Sequence, residues 1–313
     1  MATLTPTIIL QQTIEACRIQ APMLDFFAGG FTNQSLRCGQ TAIAHLVNDP
    51  VALVTDCCDS EDPPTLNGGT QTNTLLSDVS IVMDKMVAVK LSLSRCNALR
   101  DDKKALSQIF ANAARAVGKG IVDNILAGVL EARFAAQTIE TEVNTDRDTL
   151  NAIRFSMNAA GAGSQRNGLV SGGVASALDS DPRIASNDYH GQRIEEDPHA
   201  HFRNLQGFRD VMEYTDFPGN NENMTGFFFD RNAIQFATAI PSDSGDIADS
   251  LGIPRVLRYD TVTDSDSGLT LQSVMGMEQN TEELFMVIRL LTGKKIGDEL
   301  ACHGHRLITE QAV

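Results

Sequence analysis

Residues 101–136, DDKKALSQIFANAARAVGKGIVDNILAGVLEARFAA, decide how the fold is read. No proline interrupts them. Leu106, Ile109, Phe110, Ala113, Val117, Ile121, Ile125 and Val129 recur at three- and four-residue steps, which lays one apolar stripe along one face of an α-helix. Asp101 can cap the first turn, and Asp101 and Asp102 suit the positive end of the helix dipole. A helix over 101–136 would be about 50 Å long, far beyond the usual three turns. Gly118, Gly120 and Gly128 fall inside it at about 1 kcal/mol each relative to alanine, so they mark a bend or a close contact with another element. One long helix with a narrow stripe needs long partners to cover it.

Upstream, residues 47–95 read as a long β-hairpin. One limb is 51–57, where Val51, Leu53 and Thr55 alternate with Ala52, Val54 and Asp56. The other is 86–94, where Val87, Val89, Leu91 and Leu93 alternate with Ala88, Lys90, Ser92 and Ser94. Between them residues 59–74 are polar and turn-rich, with Pro63-Pro64 and Gly68-Gly69. A loop of that length is usually functional or disordered. Residues 1–46 read as an arm. Thr5-Pro6 starts a short helix carrying Ile8, Ile9, Ile14 and Cys17. Phe26, Phe27 and Phe31 surround Gly29 and Gly30 in an irregular apolar segment. That segment must lie against its own domain or strap across a neighbour.

Downstream, 148–160 predicts a helix with Leu150, Ile153, Phe155 and Met157. Residues 168–178 predict a strand running into a helix, and 179–205 a polar excursion. Strands are expected at 207–214, 225–229, 255–261 and 269–277, with a helix near 232–239. The run 284–291 is apolar throughout and could be either type. Gly293 is expected to end it, leaving Lys294, Lys295, His305 and Arg306 in a short tail. No repeat and no low-complexity segment stands out.

The chain has 313 residues, enough for one large domain or two ordinary ones. Aromatic residues make up only 5% and tryptophan is absent, so small side chains do much of the packing and base stacking is an unpromising theme. The formal charge of −15 argues against general attraction to nucleic acid or anionic lipid. Arginines outnumber lysines 18 to 7, which leans towards forked ion pairs at interfaces. The N-terminus lacks the basic and apolar regions of a signal peptide, and no run approaches a membrane span. The six cysteines then read as reduced thiols.

No convincing catalytic set emerges. Residues 161–166, GAGSQR, hold only part of a dinucleotide pattern and follow a helix. Ser171 sits on a strand-to-helix turn without the G-x-S-x-G pattern and reads as a helix cap. Cys57, Cys58, Cys302, His303 and His305 have the softness for zinc but no C-x-x-C spacing. His199 and His201 lie in a polar stretch and read as solvated. Asp264, Asp266 and Gly268 begin like a calcium loop, but Met275 stands where the bidentate carboxylate belongs. Neither a metal nor a cofactor is expected.

The element order is arm, long hairpin, one very long helix, an α/β module, then returning strands. In that order the chain resembles the major capsid proteins of tailed bacteriophages, the Hong Kong 97-type fold. The likeness is carried by GLVSGGVASALDSDPRI at 168–184, FFFDRNAIQFATAIP at 227–241, and the stretch that opens LTLQSVMGMEQ at 269 and closes HGHRL at 307. It implies an α+β fold with an N-terminal arm over 1–46 and an extended loop over 47–95 with its tip at 59–74. It further implies a peripheral domain of 96–147 and 266–313, with 101–136 as its spine helix, and an axial domain of 148–265.

The implied function is structural and non-enzymatic. It is a major capsid protein that self-assembles as hexamers and pentamers into an icosahedral shell around a double-stranded DNA genome, which it packs without sequence-specific binding. The implied location is the virion capsid, assembled in the host cytoplasm. Partners would be further copies of itself, with scaffolding, portal and decoration proteins, and no membrane. Intersubunit contacts are expected at Phe26, Phe27, Phe31, Pro63, Pro64, Gly68 and Gly69. The alternative is an encapsulin-like compartment shell, which shares the fold and encloses a cargo enzyme. Two departures bear on assembly. The chain begins almost directly with the arm, so a separate scaffold or a cleaved precursor is expected. The tip also lacks the lysine that a covalent lysine–asparagine crosslink between subunits requires, since Lys85 lies beyond it.

Overall fold

A computed structural model describes residues 22–47, 76–92, 103–185, 192–193, 201–214, 216–242, 255–263, 269–277, 283–296 and 303–309. In chain order the strands begin with β1 (Ala28–Leu36), β2 (Thr41–Val47), β3 (Leu76–Val82) and β4 (Lys85–Ser92), followed by helix α1 (Lys103–Leu126). Next come β5 (Gln137–Ile139), α2 (Arg147–Ala159), β6 (Arg166–Val170), α3 (Gly172–Ser180), the single turn α4 (Pro182–Ala185) and β7 (Gln192–Arg193). The chain continues with β8 (His201–Leu205), β9 (Phe208–Glu213), β10 (Met224–Asp230) and β11 (Ile234–Pro241). It closes with β12 (Arg255–Thr263), β13 (Thr270–Met277), β14 (Leu284–Ile296) and β15 (Gly304–Ile308).

The helix is shorter than its apolar pattern. It spans 24 residues, about 36 Å, and stops at Leu126. Gly128 passes so close to the Ile296 and Lys294 side chains that a Cβ there would collide with them. The side-chain amide of Asn220 donates to the carbonyls of Leu126 and Val129 at 3.0 and 2.6 Å and closes the helix end. Val129 and Phe134 continue the stripe because the turn after the helix is itself buried. Gly120 marks a second close approach: a Cβ there would stand 2.8 Å from a Val87 methyl of β4.

Two sheets sandwich the core. In the six-stranded sheet β14 is the spine. One of its edges pairs with β4, from Phe285↔Ser92 to Thr292↔Lys85. Its other edge pairs with β13 up to Arg289↔Gln272 and with β11 from Leu291↔Ala239 onward. β12 extends the β13 half and β1, parallel, extends the β11 half. Alternation sorts β14 residues to two faces: Met286, Ile288 and Leu290 face α1, while Leu291 faces away from it.

Several expectations change here. The 284–291 run is a strand, and it runs through Gly293 rather than stopping there. A Cβ at Gly293 would overlap the Val82 carbonyl, so glycine serves close approach instead of termination. Lys294 and Lys295 therefore belong to β14, and 232–239 is strand β11 rather than helix. Its small Ala237 and Ala239 look helical, but they are small because Ala42 and Ile81 pack on them. The residues around Phe31 form β1 rather than an irregular segment.

The hairpin is also redrawn. β2 pairs with β3, from Thr41↔Val82 to Val47↔Leu76, so the limbs flanking the extension are 41–47 and 76–82. The strand expected at 86–94 is β4, and its mate is β14. Residues 51–57 and the tip 59–74 lie outside the described residues, as do the short helix expected near Thr5 and the turn 264–268.

The seven-stranded sheet runs β5-β15-β10-β6-β9-β8-β7. β6 and β9 are parallel, joined through α3, and β5 and β15 are parallel too. All of β10 is buried. Phe227 and Phe229 face the α1 core, where Phe27 stacks on Phe229 at 4.6 Å and Phe134 meets Phe227 edge-on at 5.0 Å. Phe228 faces the second core with Phe208, Leu150, Ile153 and Met157 of α2, and Val174 and Leu178 of α3. Asp146 caps α2 by accepting from the Thr149 amide at 2.9 Å. β11 and β12, from the middle of the chain, sit in the six-stranded sheet. β5 and β15 sit in the seven-stranded one.

Candidate assembly surfaces

The β2–β3 stem lies on the face of the six-stranded sheet opposite α1. Its inner residues Ala42 and Ile81 pack on Ala237, Ala239 and Leu291. Its outer face leaves Ile43 at 59% and Val82 at 50% exposure, more apolar surface than a two-stranded ribbon normally shows water. From Val47 the chain departs for residues 48–75 and returns at Leu76. Pro63, Pro64, Gly68 and Gly69 belong to that extension and lie outside the described residues.

Residues 22–27 are tied to their own chain. Phe26 and Phe27 are buried at 6% and 1%, and the Asn167 side-chain amide donates to the Phe26 carbonyl at 3.2 Å. These two rings thus spend their apolar area inside the subunit. Phe31 stands in β1 opposite Thr238.

The seven-stranded sheet carries a second set of exposed apolar groups. Phe155 on α2 is 75% exposed and Val143 is 86% exposed. Val143 edges a groove of about 510 Å³ lined also by Asp146, Gly173, Ser176, Ala177, Ser180, Pro182 and Arg183. Periodicity placed Phe155 on the α2 stripe, but Leu150, Ile153 and Met157 alone face the core.

The chemistry-bearing residues are engaged structurally. Ser171 caps α3, accepting from the Val174 amide at 3.4 Å and donating to Glu142 at 2.7 Å. Gly161, at φ +81°, turns the chain out of α2, and Arg166 binds back to the Ala162 and Gly163 carbonyls. His201 is buried rather than solvated: its Nε2 is 2.9 Å from Asp210, beside the Phe26 ring. His305, expected in a tail, is buried in β15, 2.8 Å from the Thr138 hydroxyl. Burial, and then the adjacent Arg306, push its pKa down to about 4. Arg306 itself is fully buried and donates to the Phe134 carbonyl at 2.6 Å, to Gln137 at 2.9 Å and to Glu222. Among the described residues no three His, Cys, Asp or Glu side chains gather as metal ligands, and no helix is long and apolar enough to cross a membrane. Cys57, Cys58, Cys302, His199, Asp264 and Asp266 lie outside the described residues.

No protein-family model matches the chain, and no curated protein matches its sequence. Solved structures do match. The capsid structure of the cyanophage P-SCSP1u is 10% identical, covers 93% of this chain and 88% of its own, and superposes with a TM-score of 0.52. A structure of Mycobacterium phage Adephagia is 12% identical over 100% of both chains with a TM-score of 0.47. The virus-like particle from Pyrococcus furiosus is 9% identical over 95% of this chain and 96% of its own, at 0.46. Across most of its length the chain thus has a mixed α+β fold that matches the cyanophage capsid structure.

Proposed function

We propose that this chain is a major capsid protein of the Hong Kong 97 type, assembling as hexamers and pentamers into an icosahedral shell around double-stranded DNA. The observation that carries the reading is the match to the cyanophage capsid fold over nearly the whole chain. The stem supports it: β2 and β3 pair on the outer face of a sheet that has already closed its own core. A lone subunit gains little from a ribbon that exposes Ile43 and Val82, whereas a lattice of copies can cover them.

In this reading residues 1–40 are the arm, and the extended loop runs from 41 to 82 with its stem at 41–47 and 76–82. The peripheral domain is α1 on the six-stranded sheet, so β11 and β12 join it. The axial domain is the seven-stranded sheet with α2 and α3. Contacts with neighbours fall to Ile43, Val82, Phe31 and the extension bearing Pro63, Pro64, Gly68 and Gly69. Phe26 and Phe27 act through the position of the segment they anchor. Scaffolding, portal and decoration proteins are the further partners, and the work is mechanical rather than catalytic. The shell belongs in the virion, built in the host cytoplasm.

The test is to express the full chain, purify it under reducing conditions, and measure its mass in solution alongside negative-stain images. Closed shells, or discrete pentamers and hexamers, are expected. A stable monomer or dimer at high concentration refutes the reading. Protein cargo in place of nucleic acid inside native shells would turn it into a compartment protein.

A further inference from the structure

β12 closes one side of the six-stranded sheet. Its inner edge pairs with β13 along its whole length, and among the described residues no strand lies against its outer edge. Its 9 residues make a long open edge, and a free row of N–H and C=O groups is a template for another strand. Arg258, Asp260 and Val262 stand opposite Met275, Ser273 and Leu271 on the α1 side of the sheet. Tyr259 stands opposite Val274 on the other side and is 42% exposed, and Leu257, in the bulge between Val256 and Arg258, is 45% exposed. The order of residues is symmetric about Tyr259, the middle of the strand: Arg258 answers Asp260, and Leu257 answers Thr261.

We propose that β12 pairs antiparallel with β12 of a second copy about a two-fold axis at Tyr259, joining their two six-stranded sheets into one. The inference rests on the shell reading and names a contact that reading leaves open. Charge complementarity carries it. With the axis at Tyr259, Arg258 of each copy stands opposite Asp260 of the other and the two tyrosine rings lie side by side. Moving the axis to Arg258 or to Asp260 sets like charges opposite each other instead. Within one chain these two side chains already bond, with Arg258 Nε and Nη2 lying 3.0 and 2.7 Å from Asp260 Oδ1. The guanidinium keeps further donors for a second carboxylate, and Arg258 is 57% exposed. Such a contact uses the same patch twice and is complete with two copies, whereas rings of five or six need head-to-tail contacts. The β12 edge therefore ties one ring to the next. A strand pair of this length is a small interface, weak between free chains and effective once rings present many copies together.

Register is tested with cysteines in shells assembled from the full chain, oxidised mildly and run on a denaturing gel without reductant. Wild-type shells, with their six native cysteines, are the reference. Tyr259→Cys should give a disulfide-linked dimer, because a residue on the axis faces its own copy within disulfide reach. Leu257→Cys and Thr261→Cys, each two residues off the axis, should stay at the wild-type level. No dimer from Tyr259→Cys, or equal dimer from all three, overturns the pairing. Charge gives the second measurement. Arg258→Asp and Asp260→Arg each break the bond within the chain and set like charges opposite in the pair, so each alone should raise the concentration needed for shells about tenfold. An equal mixture of the two variants should return to within about twofold of the wild type, since opposite charges then meet between chains while the bond within each chain stays broken. A mixture no better than its components, or single variants that assemble like the wild type, overturns the contact. Wild-type chains that form neither rings nor shells refute the shell reading itself, whereas shells without the Tyr259→Cys dimer refute only this inference.

Discussion

Acid should weaken this fold through a single histidine. His305 is buried at 3% exposure between β10 and β5, next to the fully buried guanidinium of Arg306. Its pKa falls from the ordinary 6.5 to about 4, chiefly because burial disfavours the charged ring and secondly because Arg306 repels it. The unfolded chain therefore takes up a proton near pH 6.5 that the folded chain refuses until about pH 4. Stability from this site is complete above pH 6.5 and declines as the pH falls through the interval. At about 1.4 kcal/mol per pH unit the full loss is about 3 kcal/mol, of which about 2 kcal/mol is gone by pH 5. The assay is urea unfolding of the dissociated full-length chain at pH 7.5 and pH 5, for the wild type and for His305→Gln. Glutamine can still reach Thr138 but does not titrate, and carboxylate contributions are common to both proteins and cancel. The wild type should lose about 2 kcal/mol more than the variant over that range. Parallel losses would refute the reasoning and mean that the β15 ring is not held neutral by its surroundings.

Other perturbations follow from the same packing. Arg306→Met strands the Glu222 carboxylate and the Phe134 carbonyl and should cost about 3–5 kcal/mol in chemical denaturation, while pairing it with Glu222→Leu should recover part of that. Asn220→Ala removes both bonds that close α1 and puts a Cβ-bearing residue at φ 48° without asparagine's local compensation. A loss of about 2–3 kcal/mol is expected, and Asn220→Gly should relieve only the backbone share. Gly120→Ala sets two effects against each other: helix propensity favours it by about 1 kcal/mol, but the Val87 methyl at 2.8 Å opposes it by about 1–3 kcal/mol. The melting temperature should therefore fall, and adding Val87→Ala should restore it. Denatured particles should migrate as single 33.8 kDa chains, since residues 59–74 contain no lysine; a ladder on a denaturing gel would overturn that.

Local signals in the sequence proved legible. Ser171 at the head of α3, the paired strands 255–263 and 270–277, and the spacing of Leu150, Ile153 and Met157 each report on neighbours within a few residues. Pairings between distant segments were not legible. Period two in 86–94 identifies a strand but says nothing of its mate, which is β14, far along the chain. Ala237 and Ala239 favour a helix by propensity, yet they are small to admit the stem, and tertiary packing overrode propensity. Gly293 looked like a stop because nothing local shows that Val82 approaches it. His201 has a faint signal in hindsight: in HAHFRNL the polar stretch gives way to Phe202 and Leu205, both buried. A hairpin with limbs 51–57 and 86–94 was expected; the pairing found joins 41–47 to 76–82, 86–92 pairs with β14 instead, and 51–57 lies outside the described residues.

Leu290 has a partner in only one neighbouring strand. Val87 of β4 stands opposite it, but on the other edge β13 has ended at Arg289↔Gln272 and β11 begins at Leu291↔Ala239. The six-stranded sheet is thus two half-sheets hung end to end on one rail. Shear along β14 is resisted by the continuous ladder to β4, whereas twisting is resisted least at this gap. The result is a crease at a fixed residue, where β14 and β4 alone carry the bend between the two halves. Copies placed on surfaces of different curvature are expected to differ mainly in the angle across Leu290. Imaging that found the same angle in every copy, with the differences lying elsewhere, would show that the crease is stiff.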